Sequence, residues 1–319
     1  MVRVFDMFCG GGGSSRGAQL AGAEPVAALD RWELAADTYK LNFPQAAVYE
    51  TLASQLRPET VVKDVGKIDL ILASPECTSH SVAKGNKPRC EESRATAFEV
   101  VRFAESLRPR WIVVENVMQM KHWHRFEEFH LQLKAIGYKT KIGILDAQEH
   151  GTPQTRRRLF MVGDLSRDPS LPEPRARTRK TVCSILGRGE PSEPWKFSPL
   201  TSPQKAQATI ERAERAIGVM GLGTPFIMVY YGTDGAGGFQ ALDRPLRTVT
   251  TLDRFAYVRP TASGHEMRML QPSELAAAMG FPKSHKWNGT RRDRIKLIGN
   301  AVCPLVMRDV LKALIQDSS

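Results

Sequence analysis

Short apolar runs alternate with amphipathic segments through the first half of the chain. Residues 3–8 form an apolar run that ends in a glycine cluster, which predicts a strand, and residues 14–21 predict the helix behind it. The same alternation predicts a strand over 25–30 and a helix over 33–42, closed by Phe43-Pro44. Buried strands are expected over 68–73 and 111–115, with helices over 94–107 and 126–136 and further strands over 139–146 and 159–163. Strands that alternate with helices in this way imply an α/β fold, a doubly wound and largely parallel sheet. A polar loop, residues 74–92, interrupts the pattern after one buried strand.

The pattern changes after Asp164. Residues 165–205 are rich in Pro, Arg and Ser and cannot continue the alternation. Beyond them lie β-like runs over 226–231 and 247–251, separated by the glycine-rich stretch 232–238. These features predict a second, smaller, irregular and β-containing domain. The chain ends in a predicted helix over 304–315, directly after Gly299-Asn300-Ala301-Val302.

Composition narrows the class. A chain of 319 residues, 42% hydrophobic and 25% charged, suits a folded protein with a sizeable core. No apolar run approaches the ~18 residues of a spanning helix, so no membrane partner is expected. The N-terminus has no apolar stretch of the secretory kind. Five widely spaced cysteines without a Cys-x-x-Cys pair argue against a disulfide framework and a structural zinc, and for reduced thiols in the cytoplasm. Forty-five basic residues against 34 acidic ones give a net charge of +11, which favours a polyanionic partner, nucleic acid ahead of a membrane surface. The basic residues cluster: Lys84, Lys87 and Arg89; Arg156 to Arg158; Arg175, Arg177, Arg179 and Lys180; Arg291, Arg292, Arg294 and Lys296. Most of these read as loop sequence.

Ligands of an open parallel sheet sit at the carboxyl ends of its strands. After the first strand, Phe8-Cys9 leads into Gly10-Gly11-Gly12-Gly13, a turn that brings backbone close to a ligand at a helix N-terminus. The second strand ends in Asp30, an acid suited to ribose hydroxyls. The dinucleotide spacing Gly-x-Gly-x-x-Gly fails, because its third place is Ser15 or Arg16, so a nucleoside cofactor without pyrophosphate fits better than NAD. Cys77, in Ser74-Pro75-Glu76-Cys77-Thr78, follows a buried strand and is a candidate nucleophile. A buried structural thiol is the alternative for it. Glu115 emerges from an otherwise apolar strand, where packing alone gives it no purpose. His80 reads as a hydrogen-bonding loop residue.

Asp6-Met7-Phe8-Cys9-Gly10, Pro75-Glu76-Cys77, Glu115-Asn116-Val117, Gln154-Thr155-Arg156-Arg157-Arg158 and Gly299-Asn300-Ala301-Val302 occur in that order. With Arg244-Pro245-Leu246-Arg247-Thr248-Val249-Thr250 and the stretch from Glu274-Leu275 to Gly280-Phe281-Pro282, this series resembles the DNA (cytosine-5)-methyltransferase family of bacteria and phages. The resemblance spans nearly the whole chain apart from residues 165–240, and implies a Rossmann-like methyltransferase sheet. It places a catalytic domain at 1–165, a target-recognition domain at 166–289 and a return to the catalytic domain at 290–319.

The resemblance also implies roles. S-adenosyl-L-methionine would meet Phe8, Gly10 and Gly12, with Asp30 on the ribose, Asp64 on the adenine amino group, and Asn300 and Val302 completing the pocket. Cys77 stands at the nucleophile, Glu115 at the acid, and Arg156 and Arg158 near the target base; no metal is implied. Double-stranded DNA would be the partner, with a cognate restriction endonuclease as a candidate second one, for a monomer associated with the nucleoid. Three positions depart from the family pattern: Glu76 and Cys303 replace its usual prolines, and Thr78 its usual glutamine. A carboxylate beside a thiol raises the thiol pKa; Glu76 is expected to point away from Cys77, toward the basic residues at 84–89, because an unpaired carboxylate in a closed pocket is costly. A tRNA cytosine methyltransferase and a binding protein without turnover are the rival readings, the second disfavoured by the retention of Cys77 and Glu115.

Overall fold

The computed structural model describes residues 1–75, 91–175, 179–187, 195–231 and 238–316. Its larger body is a seven-stranded sheet of β1 (Arg3–Met7), β2 (Glu24–Asp30), β3 (Ala47–Glu50), β4 (Leu70–Ala73), β5 (Trp111–Asn116), β6 (Lys139–Asp146) and β7 (Arg157–Asp164). The spatial order is β3-β2-β1-β4-β5-β7-β6. β1 to β5 pair in parallel, and β7 runs antiparallel to both of its neighbours. The helices of this body are α1 (Gly13–Leu20), α2 (Glu33–Asn42), α3 (Pro58–Val65), α4 (Glu91–Leu107) and α5 (Phe126–Ala135).

The expected doubly wound sheet is therefore present, and its packing explains why its central strands read as unbroken apolar runs. Leu70 and Leu72 of β4 face a core shared with Ala18 of α1, whereas Ile71 and Ala73 face Val100, Phe103 and Ala104 of α4. A strand covered on both faces must be apolar at every position. The pattern did not disclose β3 and α3. β3 is a half-exposed edge strand of four residues, and α3 starts on Pro58, a residue that opens helices as readily as it breaks them.

The smaller body is an antiparallel sheet of β8 (Ser198–Pro199), β9 (Phe226–Val229), β10 (Phe239–Ala241), β11 (Phe255–Thr261) and β12 (Gly264–Met269), in the order β10-β9-β11-β12-β8. Helix α6 (Gln207–Met220) lies against it. Three helices finish the chain: α7 (Pro272–Ala278), α8 (Arg291–Asn300) and α9 (Pro304–Gln316). β9 serves two cores at once. Phe226 and Met228 pack with Ala213 and Ala216 of α6, while Ile227 and Val229 join the core that contains α1 and α9.

Two expectations are corrected here. Residues 247–251 are not a strand, because their polar groups are used elsewhere: the Val249 amide donates to Gln154 Oε1 at 2.8 Å and Thr248 Oγ1 to the Thr155 carbonyl at 2.7 Å. The basic stripe at 291–296 is not a loop but the body of α8, opened by a capping box between Thr290 and Asp293. Its Arg291 is spent internally, on Asp253 at 2.8 Å, Gln271 at 2.7 Å and the Leu270 carbonyl at 2.7 Å. Among the described residues no helix is long and apolar enough to cross a membrane.

Candidate active site

In the strand order of the large sheet, β1 and β4 are neighbours whose following segments leave in opposite directions, which opens a crevice at their carboxyl ends. The glycine turn after β1 forms one wall. Gly10 and Gly12 adopt left-handed φ values of 49° and 78°, and Phe8, without that freedom, is held at 61°. A Cβ on Gly13 would lie 2.1 Å from the Val302 carbonyl, so only glycine lets the Asn300–Val302 segment seat against the turn. A Cβ on Gly10 would meet nothing within 4 Å. The turn is thus packed behind and open at Gly10. Beneath it, the buried Asp6 carboxylate accepts from the Ser15 amide at 3.1 Å and Ser15 Oγ at 2.6 Å, which ties β1 to the start of α1. Burial pushes the Asp6 carboxyl up to about 7, against the pull of Ser15.

Asp30 closes the second wall. Its Oδ2 accepts from the Gly10 amide at 2.8 Å and its Oδ1 from the Trp32 amide at 2.9 Å. A carboxylate at the end of β2, beside the glycine turn, is the group suited to ribose hydroxyls. Asp64 sits exposed near the end of α3 and accepts from the Tyr49 hydroxyl at 2.8 Å, at the carboxyl end of β3 and hence on the same sheet edge as Asp30. An open glycine face beside a carboxylate suits a nucleoside that carries positive charge and no phosphate, as S-adenosyl-L-methionine does. Asp30→Ala is expected to weaken binding of this cofactor by about 1.5–3 kcal/mol, read by titration calorimetry, because a charged acceptor and the anchor of Gly10 are lost together.

The third wall is β5 and β7. Glu115 is 6% exposed, and Arg158 Nε lies 3.4 Å from its Oε1. Burial pushes the Glu115 carboxyl up, opposed by the cations of Arg158 and Arg156 and by the Ser74 hydroxyl. The next residue, Asn116, donates from Nδ2 to the Pro75 carbonyl at 3.0 Å and accepts from the Val117 amide at 2.8 Å. The root of the Cys77 loop is thereby fixed beside Glu115. Glu76, Cys77 and the rest of the segment to 90 lie outside the described residues, as does Arg177.

Arg156, expected near the target base, lines the same cleft as Glu115, but its guanidinium is committed to holding the surrounding segments. Its side chain is buried, with Nη1 donating to the Val249 carbonyl at 2.9 Å and Nη2 to those of Gly299 and Ala301 at 2.9 and 3.1 Å. A guanidinium committed to three carbonyls is a clamp and not a free hand for a substrate. It joins the start of β7, the segment at 247–250 and the turn before Val302. Gln154 works beside it, buried and bonded to the Val249 amide and, through Nε2, to the Ala278 carbonyl at 3.2 Å. Val302 and Cys303 line the same small cleft as Glu115, Arg156 and Arg158, and burial raises the Cys303 thiol to about 11, so it is neutral there. Asn300 ends α8 in an exposed position. Among the described residues no group of three His, Cys, Asp or Glu is placed to hold a metal.

Three contributors were not singled out from the sequence: Asn116 as tether of the Pro75 carbonyl, Ser15 as partner of Asp6, and Ser74 beside Glu115. Each acts across strands, and only the Asn beside Glu115 carried a visible signal, as a polar residue ending an apolar strand.

A switch-point crevice with a glycine turn, an acid after β2 and an antiparallel β7 defines the methyltransferase class of this sheet. Residues 2–316 match the family described as C-5 cytosine-specific DNA methylase. The type II methyltransferase M.HindV of Haemophilus influenzae is 29% identical over 98% of this chain and 96% of its own length. M.HgiDI of Herpetosiphon aurantiacus is 26% identical over 94% and 90%. A putative DNA modification methyltransferase encoded within an Escherichia coli prophage has the same fold, with a TM-score of 0.72 at 21% identity over 98% of both chains. The Dnmt2 methyltransferase of S. pombe superposes with a TM-score of 0.71 at 19% identity over 99% of both. The chain belongs to the C-5 cytosine-specific DNA methylase family. It is an S-adenosyl-L-methionine-dependent DNA (cytosine-5)-methyltransferase, of the kind found in restriction-modification systems.

Proposed function

We propose that Cys77, Glu115 and Arg158 carry the reaction, on a cytosine swung out of duplex DNA. The observation that carries this reading is the pairing of buried Glu115 with half-buried Arg158, beside the tethered root of the Cys77 loop. S-adenosyl-L-methionine, held by Phe8, Gly10, Gly12, Asp30, Asp64, Asn300 and Val302, supplies an electrophilic methyl group. Carbon 5 of cytosine is a poor nucleophile until the Cys77 thiolate bonds to carbon 6 and turns the ring into an enamine. Glu115 is suited to share a proton with ring nitrogen 3, since burial favours its protonated form. Arg158 stands ready for the carbonyl oxygen, where charge also builds. Departure of the carbon 5 proton to a water molecule, with the sulfur expelled as thiolate, restores the ring. A stacked base is closed to this attack, hence the need for flipping.

Arg156 takes no part in the chemistry on this reading; it positions the segments around the pocket. The target-recognition body is assigned to residues 166–270, with the return to the catalytic body beginning at α7. Two observations support that earlier boundary: Leu275 and Met279 join the core of the large sheet, and Lys286 bonds to Asn42 of α2. Sequence choice is placed in residues 165–240 and affinity mainly in phosphate contacts of the basic surface. A cognate restriction endonuclease and action as a monomer complete the proposal.

The test is tritium transfer to duplex DNA and to transcript of the same sequence, repeated after exchanging residues 165–240 for those of a relative. Labelled duplex, steep loss of binding with salt and a changed methylated site are expected. Label confined to transcript would overturn the choice of polymer, and an unchanged site would overturn the assignment of the insert.

A further inference from the structure

The glycine turn has a rear support that the chain supplies from 274 residues away. His285 Nε2 lies 2.9 Å from the Gly11 carbonyl oxygen. The imidazole is buried and boxed by aromatic rings, with centroids 4.6 Å from Phe281, 4.8 Å from Trp287 and 6.5 Å from Phe43. Trp287 backs Gly11 itself, since a Cβ there would come within 2.6 Å of its ring. At Gly10, where Asp30 holds the amide, the turn is open.

We propose that His285 is a positioning residue for S-adenosyl-L-methionine, holding the glycine turn from behind in the shape that receives the cofactor. This rests on the reading of that turn as the cofactor site. Glycines lose more conformational freedom on ordering than any other residue, so a turn of four needs to be fixed from outside. Asp30 fixes the Gly10 amide in front, and His285 fixes the Gly11 carbonyl behind. A carbonyl can only accept, so Nε2 must carry the hydrogen and donate. Burial, helped by the Arg16 cation and opposed by the Gly11 bond, lowers the imidazole to about 3, so the neutral ring persists at working pH. The buried Nδ1 has no partner among the described residues, which is the acceptor nitrogen of that neutral tautomer.

The segment bearing His285 does not depend on this bond for its place. Asn42 of α2 grips the Lys286 backbone twice, at 2.8 and 2.9 Å, and the Asn288 amide reaches Thr38 Oγ1 at 3.4 Å. Loss of the imidazole donor should therefore loosen the turn while leaving residues 286–288 on α2.

His285→Phe keeps an aromatic ring and removes the donor; His285→Gln restores an amide nitrogen at nearly the position of Nε2. The expected result for His285→Phe is a five- to tenfold rise, about one hydrogen bond's worth, in the KM for S-adenosyl-L-methionine and in the Kd for S-adenosylhomocysteine, with a far smaller change in kcat. His285→Gln should recover most of that loss. Should His285→Phe fail to fold, His285→Met fills the space with a flexible side chain and serves as the donorless variant. Wild-type cofactor binding in a folded donorless variant overturns the proposal, and so does an equal loss in donorless and Gln variants, which would assign the effect to packing. Asp30→Ala runs alongside: weakened binding there with unchanged binding at position 285 sinks this inference alone, whereas no change in either sinks the assignment of the turn.

Discussion

Cys77→Ser is expected to lower methyl transfer to duplex DNA by at least about a thousandfold, the order lost when other covalent enzymes lose their nucleophile. An alcohol is scarcely ionised at neutral pH, and its oxygen cannot replace the thiolate at carbon 6. Cofactor affinity should stay at the wild-type value, because the glycine turn and Asp30 are held by bonds that do not involve the Cys77 loop. The covalent step has its own readout. DNA carrying 5-fluorocytosine puts fluorine where a proton must leave, so the wild-type enzyme should remain attached to it and the serine variant should not. Glu115→Gln separates nucleophile from acid: an amide at nitrogen 3 can no longer release a proton, so the adduct should form far more slowly while Cys77 stays intact. Failure to trap any adduct through Cys77 would reject the mechanism.

The largest effect on stability is expected from Glu274→Ala. Glu274 is fully buried and meets Arg268 in a two-pronged pair, with both contacts at 2.7 Å. The same carboxylate accepts from the Gln271 amide at 2.8 Å and the Gly187 amide at 3.1 Å. It therefore joins the end of β12, the start of α7 and the chain entering the smaller body. Removing it strands a buried guanidinium and costs about 3–5 kcal/mol, read as a lower midpoint in urea. Replacing both partners with apolar residues, Arg268→Met with Glu274→Leu, should recover much of that, because no charge is then left unpaired in the interior. A single Glu274→Ala within about 0.5 kcal/mol of wild type would show that water reaches Arg268.

The sequence carried the large sheet well because its signals are local. A strand covered on both faces has to be apolar throughout, and Leu70 to Ala73 and Trp111 to Val114 could be read as such from composition alone. The juxtaposition of the glycine turn and Asp30 was equally legible: glycines after one strand and an acid after the next are adjacent wherever parallel strands are adjacent. Cys77 and Glu115 were readable as residues out of keeping with their surroundings, and the ordered motifs named the family.

The smaller body was legible only in outline. Ala213 and Ala216 bury the inner face of α6 with side chains too small to stand out, and β9 lacks alternation because it serves two cores. Arg156 shows the limit most clearly. The family resemblance placed it near the target base, but a side chain's role depends on which acceptors the fold sets around it, here three carbonyls from two distant segments. The same holds for His285, whose partner at Gly11 is 274 residues away. By itself the sequence determined the alternation that builds the large sheet, the residue types at its strand ends and the family, since these follow from residue types and short-range spacing. Only the tertiary structure decided which polar groups face the crevice and which are consumed in holding it together, because hydrogen-bond partners are fixed by proximity in space and leave no trace in spacing along the chain.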